Sequence, residues 1–269
     1  KQAIIDELGA EAVEFDFQNA QNDANTCSTI VNQFVSNNVD LIMANATPAL
    51  QAAAAATGDI PILATSVTEY GVALEIKDFN GTVGGNISGT SDLAPLDQQA
   101  QMIIDLIPDA KTVGLLYCSA EPNSAYQVKV VKDYLEGKGL TVKDYPFSDS
   151  NDIASVTTSA TQNCDVIYIP TDNQAASCTE AINNVALPAR TPIFAGEAAT
   201  CSGCGVATLS IDYYDLGYQT GLMAYEILVN GANPGEMEIT FAPETTKMYN
   251  SANAAELGID IPADYEVVE

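Results

Sequence analysis

The sequence contains no histidine and no tryptophan, and basic residues are scarce. Among its 269 residues, 9 Lys and Arg stand against 36 Asp and Glu, so the formal net charge is -27. Binding to phosphate groups requires a basic face, which excludes nucleic acid as a partner and argues against an anionic membrane surface. The simplest interpretation of the acidity is a solvated surface that repels itself.

Long hydrophobic runs are also missing. No apolar stretch approaches the roughly 20 residues of a membrane-spanning helix, and we expect a soluble chain without a signal peptide. There is no G-x-S-x-G motif, no P-loop and no G-x-G-x-x-G after a predicted strand. We therefore expect a protein that is not an enzyme and needs no cofactor or metal. Glycoside hydrolysis by paired carboxylates is the enzymatic alternative.

Six cysteines are present, at positions 27, 118, 164, 178, 201 and 204. Only Cys201 and Cys204 lie close together, and the intervening Ser202 and Gly203 predict a loop. A local disulfide or free thiols are the plain interpretations of this pair. Metal binding and redox catalysis remain alternatives, although there is no second C-x-x-C and no His to complete a zinc site.

Apolar periodicity alternates between strand-like and helix-like segments along the whole chain. A first series has strands at 13–17, 40–45, 60–65 and 82–87, and a second has strands at 112–118, 141–147, 165–170, 192–195 and 207–211. Helical patterns lie between them, including one at 174–186. Alternating βα units give parallel sheets covered on both faces. The sequence thus predicts an α/β protein with two doubly wound lobes, a division that suits its length.

Polar residues collect directly after the predicted strands, where open parallel sheets bind ligands. Thr65 ends a predicted strand of the first series, and Thr47 and Ser66 come shortly after strands of that series. Hydroxyl groups and a helix N-terminus suit a carboxylate or phosphate. Thr47 before Pro48 equally fits an ordinary helix N-cap.

Acidic residues follow the strands of the second series. Asp172, Glu197 and Asp212 each come after an apolar strand, where a buried and unpaired carboxylate would be costly. A ligand ammonium group would compensate that charge, so the two sets together suit a zwitterion such as an amino acid. Solvation at the surface remains the plain alternative for each acid, and Ser124 and Asp172 equally fit helix caps.

Several runs resemble one family in combination and in order. They are VDLIMANATPALQAAAAATGDIPILATSVT, GTSDLAP, CSAEPNSAYQV, IYIPTDNQAASC, PIFAGE and SIDYYDLGYQTG. They resemble the ABC-transporter substrate-binding family that includes tryptophan- and tyrosine-binding lipoproteins. The most specific parts are PTDN at 170–173, FAGE at 194–197 and IDYY at 211–214.

The resemblance implies a type I periplasmic-binding-protein fold. Its first lobe would comprise residues 1–89 and 212–241, and its second lobe residues 90–211 and 242–269. It also implies capture of an aromatic or hydrophobic amino acid in the inter-lobe cleft by hinge closure, with the permease of an ABC importer as partner. The protein would be extracytoplasmic, either a cell-surface lipoprotein or periplasmic, and only a lipid anchor outside this chain would tie it to the membrane.

The resemblance further assigns nine residues to the ligand site. Those expected to hold the ligand carboxylate are Ala46, Thr47 and Ser66. Those expected to hold the amino group are Asp172, Asn173 and Glu197. Those expected to line the site are Asn123, Ser124 and Asp212.

The sequence departs from the family at its start. The family opens with a strand and a polar turn, whereas residues 1–8 read as the second half of the first helix. We therefore expect the first strand of the first lobe, with its ligand contacts, to be missing from this sequence. A sensory or regulatory module on the same fold is the alternative function, although a repressor would need a DNA-binding headpiece, and none is visible.

Overall fold

The computed structural model describes residues 1–9, 11–21 and 23–268. The helices, in chain order, are α1 (Gln2–Leu8), α2 (Ala24–Ser36), α3 (Thr47–Ala56), α4 (Tyr70–Ala73), α5 (Leu96–Leu106), α6 (Pro122–Gly137), α7 (Ile153–Thr161), α8 (Asn173–Ala176), α9 (Thr179–Ala186), α10 (Ala198–Cys204), α11 (Tyr213–Leu228) and α12 (Ser251–Leu257). The strands are β1 (Ile42–Asn45), β2 (Ile62–Val67), β3 (Ile87–Ser91), β4 (Thr112–Cys118), β5 (Thr141–Phe147), β6 (Val166–Ile169), β7 (Ile193–Ala195), β8 (Ala207–Ile211), β9 (Thr240–Phe241), β10 (Thr245–Tyr249) and β11 (Glu266–Val267).

The chain divides into two compact units. Unit 1 comprises residues 1–93 and 212–243, and unit 2 comprises residues 94–211 and 244–269. Over the described residues, no helix combines the length and the apolar character needed to cross a membrane.

Unit 1 is built on a parallel sheet with the strand order β1-β2-β3-β9. Its central strand β2 buries side chains on both faces. Ile62 and Ala64 join the cluster formed with α2 and α3, whereas Leu63 packs with Ile4 of α1 and Ala224 of α11. A strand covered on both faces is nearly all apolar, which explains the unbroken run at its start.

Unit 2 has a seven-stranded sheet with the order β11-β10-β8-β7-β6-β4-β5, parallel except between β8 and β10. One face of β6 packs under α7 and α9 through Ile167 and Ile169. Tyr168, also buried, donates a hydrogen bond of 2.6 Å to Gln99 of α5. The predicted α/β class with parallel sheets is therefore confirmed.

Residues 13–17, the earliest stretch of this sequence that was predicted as a strand, form no strand. Val13 and Phe15 pack against the cluster between α1 and α11, whereas the side chain of Phe17 is 70% exposed. Phe15 and Phe17 stack with their ring centroids 5.8 Å apart. The alternation in the sequence thus reflects side-chain packing of an irregular segment and not a hydrogen-bonded strand.

The strand predicted at 82–87 lies later, at β3. Gly84 and Gly85 have φ angles of 88° and 61°, which are incompatible with a continuous strand at that point. The polar residues of β3 are buried because each hydroxyl has a partner: Ser88 donates to the carbonyl of Met237 at 3.0 Å, and the Thr90 hydroxyl lies 2.8 Å from that of Thr220. A polar strand of this kind is invisible to hydrophobic periodicity.

The segment from Cys201 to Cys204 is part of helix α10 and is not a loop. Both thiols are free and buried, and burial raises the pKa of Cys201 to about 12 and that of Cys204 further still. Thiols with raised pKa values are poor nucleophiles, which argues against the redox alternative. The helix predicted at 174–186 is also divided, into α8 and α9.

We predict that Gly89→Ala destabilises unit 1 by about 3 kcal/mol or more, because the new methyl group has no space. Gly89 has a φ of 153°, and a Cβ would lie 2.0 Å from the carbonyl oxygen of Ala64 and 2.4 Å from the hydroxyl of Tyr70. Urea unfolding followed by circular dichroism measures the change. Gly58→Ala, where a Cβ meets no atom within 4 Å, is the control. Equal stability of the two variants would contradict the close packing of β3.

Candidate functional site

The structure brings Ala46, Thr47 and Ser66 to one edge of the unit 1 sheet. Strands β1 and β2 are parallel neighbours in which Asn45 pairs with Thr65, and the backbone N–H of Ala46 donates to the carbonyl of Thr65 at 2.9 Å. Ala46 is the N-cap of α3, so the prediction that Thr47 is the cap is wrong by one residue. The N-cap conformation cannot fall on Thr47 because its backbone is already helical.

Two of these residues have backbone conformations that are rare without glycine. Ala46 has φ 72° and ψ 163°, and Ser66 has φ 54° at the point where β2 shifts register against β3. Such conformations cost about 1–3 kcal/mol each and are concentrated at binding sites. The N-cap residue Ala46 makes no side-chain cap bond to α3, so the N–H groups at its start need another acceptor. An anion such as a carboxylate suits that position.

The three acids predicted from the sequence all cap helices. Asp172 accepts from the N–H of Ala175 in α8 at 2.8 Å, and Glu197 accepts from the first turn of α10. Asp212, which lies in unit 1 and is exposed, accepts from the N–H of Tyr214 in α11 at 2.7 Å. Capping explains why these acids follow strands, and it leaves carboxylate lone pairs for a further donor.

Four predicted residues of unit 2 form one cluster: Asn123, Ser124, Asp172 and Asn173. Ser124 lies inside α6, so its predicted capping role is wrong; its hydroxyl hydrogen-bonds to Asp172. The cluster is joined by Glu121, which the sequence reasoning missed. Glu121 accepts from both the backbone N–H and the Nδ2 of Asn173, at 3.0 and 2.8 Å. An acid directly before Pro122 at the start of a helix was the available signal.

This cluster holds two buried carboxylates. Glu121 is 8% exposed and Asp172 is 1% exposed. Burial, and then the charge of Glu121, raise the pKa of Asp172 to about 6. Within the part of the chain that the structure describes, neither acid belongs to an ion pair; the pairs are Lys129–Asp133, Lys132–Asp144 and Lys247–Asp264. An added cation would compensate this charge.

The turn that carries Glu197 packs against the turn that carries Asp172. A Cβ on Gly196 would lie only 2.4 Å from the backbone nitrogen of Thr171, so the two turns touch where Gly196 stands. The hydroxyl of Thr171 donates to the carbonyl of Gly196 at 3.3 Å. Glu197 therefore starts its helix beside the cluster, whereas Asp212 belongs to unit 1. The assignment of all nine residues to a ligand remains a prediction.

Known proteins resemble this chain over nearly its full length. The profile of the family described as ABC transporter substrate binding protein matches residues 2–267. The tyrosine-binding protein of Clostridioides difficile (strain R20291) is 38% identical over 238 residues, which cover 88% of this chain and 68% of that protein. The sequence resemblance to this family is confirmed.

Solved structures give the same result for the fold. The ABC domain from Streptococcus pneumoniae in complex with L-Trp superposes with a TM-score of 0.92 at 36% identity, covering 97% of this chain and 88% of that one. A leucine-binding protein from Thermotoga maritima has a TM-score of 0.58 at 15% identity, covering 87% and 70%, and shares the fold alone. The predicted type I periplasmic-binding-protein fold is confirmed.

We predict that Asp172 titrates near pH 6 in the ligand-free protein, above the usual 3.8. Because folding raises this pKa, the contribution of Asp172 to stability is fully present below the unfolded value and is lost as the pH rises through 6. Carboxyl-carbon NMR titration measures the midpoint. Asp165 is the control, since bonds from the backbone N–H groups of Lys111 and Thr112 lower its pKa. A midpoint for Asp172 at or below that of Asp165 would contradict the burial of an uncompensated charge.

Proposed function

Because the chain belongs to the ABC transporter substrate-binding protein family, we propose that it is the solute receptor of an ABC importer. The solute that it captures is an amino acid with an aromatic or other hydrophobic side chain. The protein works outside the cytoplasm, as a cell-surface lipoprotein or in a periplasm, and delivers its ligand to the importer's permease. It holds the ligand without transforming it.

The observation that carries the proposal is the contrast between the start of α3 in unit 1 and the acidic cluster of unit 2. In unit 1, α3 starts without a side-chain cap, next to the unusual backbone of Ala46 and Ser66. In unit 2, Glu121 and Asp172 place two buried carboxylates in one cluster. The first arrangement suits an anionic group and the second a cationic group. An α-amino acid carries both.

The proposed contacts follow from this contrast. The ligand carboxylate is assigned to the residues at the start of α3 and in the β2 bulge, namely Ala46, Thr47 and Ser66. The ligand ammonium is assigned to the acids and the amide of unit 2, namely Asp172, Asn173 and Glu197. The residues assigned to the lining of the site are Asn123, Ser124 and Asp212.

The class of side chain is supported by two relatives. One is a tyrosine-binding protein at 38% identity, and the other was solved with L-Trp at 36% identity. Both ligands combine the zwitterionic head with a large aromatic group. We extend that class, and not a particular amino acid, to this chain.

We predict that tryptophan, tyrosine or phenylalanine stabilises the full-length protein in a thermal-shift screen of amino acids, sugars and nucleosides. A ligand at a hundred times its Kd adds about 2.7 kcal/mol of stability, which such a screen detects. Isothermal titration calorimetry of the strongest hit then gives the Kd. Stabilisation by a sugar or a nucleoside, together with no response to any amino acid, would refute the proposed ligand class.

Affinity for the amino acid is expected to fall about tenfold between pH 7.5 and pH 5, equivalent to about 1.4 kcal/mol. Asp172 takes up a proton near pH 6 in the free protein. The protonated form no longer attracts the ligand ammonium, so the ligand binds the ionised form and releases a proton. Calorimetry across this range measures both the Kd and the proton release. Asp172→Asn is expected to bind more weakly at pH 7.5 and with little pH dependence; an unchanged pH profile in this variant would exclude Asp172 as the source.

A further inference from the structure

We propose that Glu121 determines selectivity for the amino group by fixing the orientation of two asparagine amides. Held by Glu121, Asn123 and Asn173 turn their Nδ2 groups toward its carboxylate, and their Oδ1 atoms are left as acceptors for the ligand ammonium. This inference rests on the proposed function and adds a residue and a mechanism to it.

An asparagine amide has a donor end and an acceptor end, and its neighbours decide which end faces a ligand. The Nδ2 of Asn123 has three oxygen neighbours: Glu121 Oε2 at 3.3 Å, Ser124 Oγ at 3.3 Å and the Thr171 carbonyl at 3.0 Å. Rotating the amide by half a turn would bring Oδ1 against the Glu121 carboxylate and the Thr171 carbonyl. The orientation of this side chain is therefore fixed.

The Oδ1 atom of Asn123 is an unused acceptor. It is buried in a residue only 3% exposed, and within the described part of the chain it accepts no hydrogen bond. A buried acceptor without a donor costs about 1–3 kcal/mol. That cost is recovered when a ligand supplies an N–H group, which an ammonium does and a plain methylene does not.

Asn173 is held by the same carboxylate through two bonds. Its backbone N–H and its Nδ2 both donate to Glu121 Oε2, and the N–H of Gln174 donates to Oε1 at 2.9 Å. Because Nδ2 faces Glu121, Oδ1 of Asn173 is the end of the amide that faces away. Both amides therefore have the same orientation, with their acceptor ends turned away from Glu121.

Only a carboxylate of the right length meets these requirements. Glu121 receives four N–H bonds, two from backbone and two from amide nitrogens, and it offers no hydrogen of its own. A glutamine would direct its own NH2 group against some of these donors. An aspartate keeps the charge but is one methylene shorter, so it would not reach all four.

The test compares an amino acid with its des-amino analogue, which keeps the ring and the carboxylate: L-tyrosine with 3-(4-hydroxyphenyl)propanoate, and L-tryptophan with 3-(indol-3-yl)propanoate. Calorimetry measures each Kd for the full-length protein and for Glu121→Gln, Glu121→Asp and Glu180→Gln. Glu180 is exposed on α9, so its substitution makes the same change of charge away from the cluster.

We expect Glu121→Gln to weaken amino-acid binding by about tenfold or more and to change the affinity for the analogue by less than about twofold. Glu121→Asp is expected to lower the affinity for the amino acid about fivefold and to leave that for the analogue unchanged. Glu180→Gln is expected to bind both ligands as the unmodified protein does. Wild-type selectivity in Glu121→Asp would show that charge alone matters and would overturn the inference. Equal losses for both ligands in Glu121→Gln would do the same.

A second variant guards against misfolding of Glu121→Gln. Asn173→Ala removes one acceptor at a half-buried position, and we expect it to weaken amino-acid binding by about fivefold with the analogue unaffected. An unchanged preference for the amino acid in Asn173→Ala would overturn the inference. If the unmodified protein binds no amino acid at all, the proposed function itself fails, which is a different result from loss of selectivity in the variants.

Discussion

The first N–H groups of a helix need hydrogen-bond acceptors, and this need shapes the candidate site residues of both units. In a parallel sheet, each strand leads into a helix that starts with N–H groups lacking intrahelical partners. In unit 2, Asp172 and Glu197 supply acceptors for α8 and α10. In unit 1, the N-cap residue of α3 is Ala46, which makes no side-chain cap bond and has an unusual backbone conformation. The same geometric requirement therefore leaves the start of α3 without a side-chain cap and places capping carboxylates at the starts of α8 and α10.

The buried negative charge in unit 2 has an energetic consequence. Placing Glu121 and Asp172 in a buried cluster desolvates both, and neither is matched by an ion pair within the described residues. Backbone and amide N–H groups stabilise the two carboxylates but do not neutralise their charge. The raised pKa of Asp172 reflects its burial and the uncompensated charge of Glu121. A cationic ligand gains more from such a cluster than from a solvated surface acid, because charges interact more strongly where water is excluded.

Hydrophobic periodicity predicted the alternation of strands and helices well, since it reports burial on one or both faces of an element. It failed where buried side chains do not belong to a strand and where a strand consists of buried polar residues. Residues 13–17 alternate and pack, yet they form no strand, whereas Ser88 and Thr90 are polar and lie in the middle of one. The helix through Cys201 and Cys204 was missed because Gly203 suggested a loop; there, glycine serves the close approach of Thr179, whose side chain would lie 2.4 Å from a Cβ.

The acids of unit 2 illustrate why the candidate site was only partly accessible from sequence. An acid after a strand needs a ligand only if it has no other partner, whereas Asp172 accepts from two backbone N–H groups, those of Cys118 and Ala175. Among the described residues, an atom that does lack a hydrogen-bond partner is Oδ1 of Asn123. A sequence gives the amide but not its orientation, which depends on a carboxylate placed two residues earlier and on a carbonyl from another turn. The types of polar group that follow a strand can thus be predicted from the sequence. Whether an amide turns its donor or its acceptor end toward a ligand follows only from the fold.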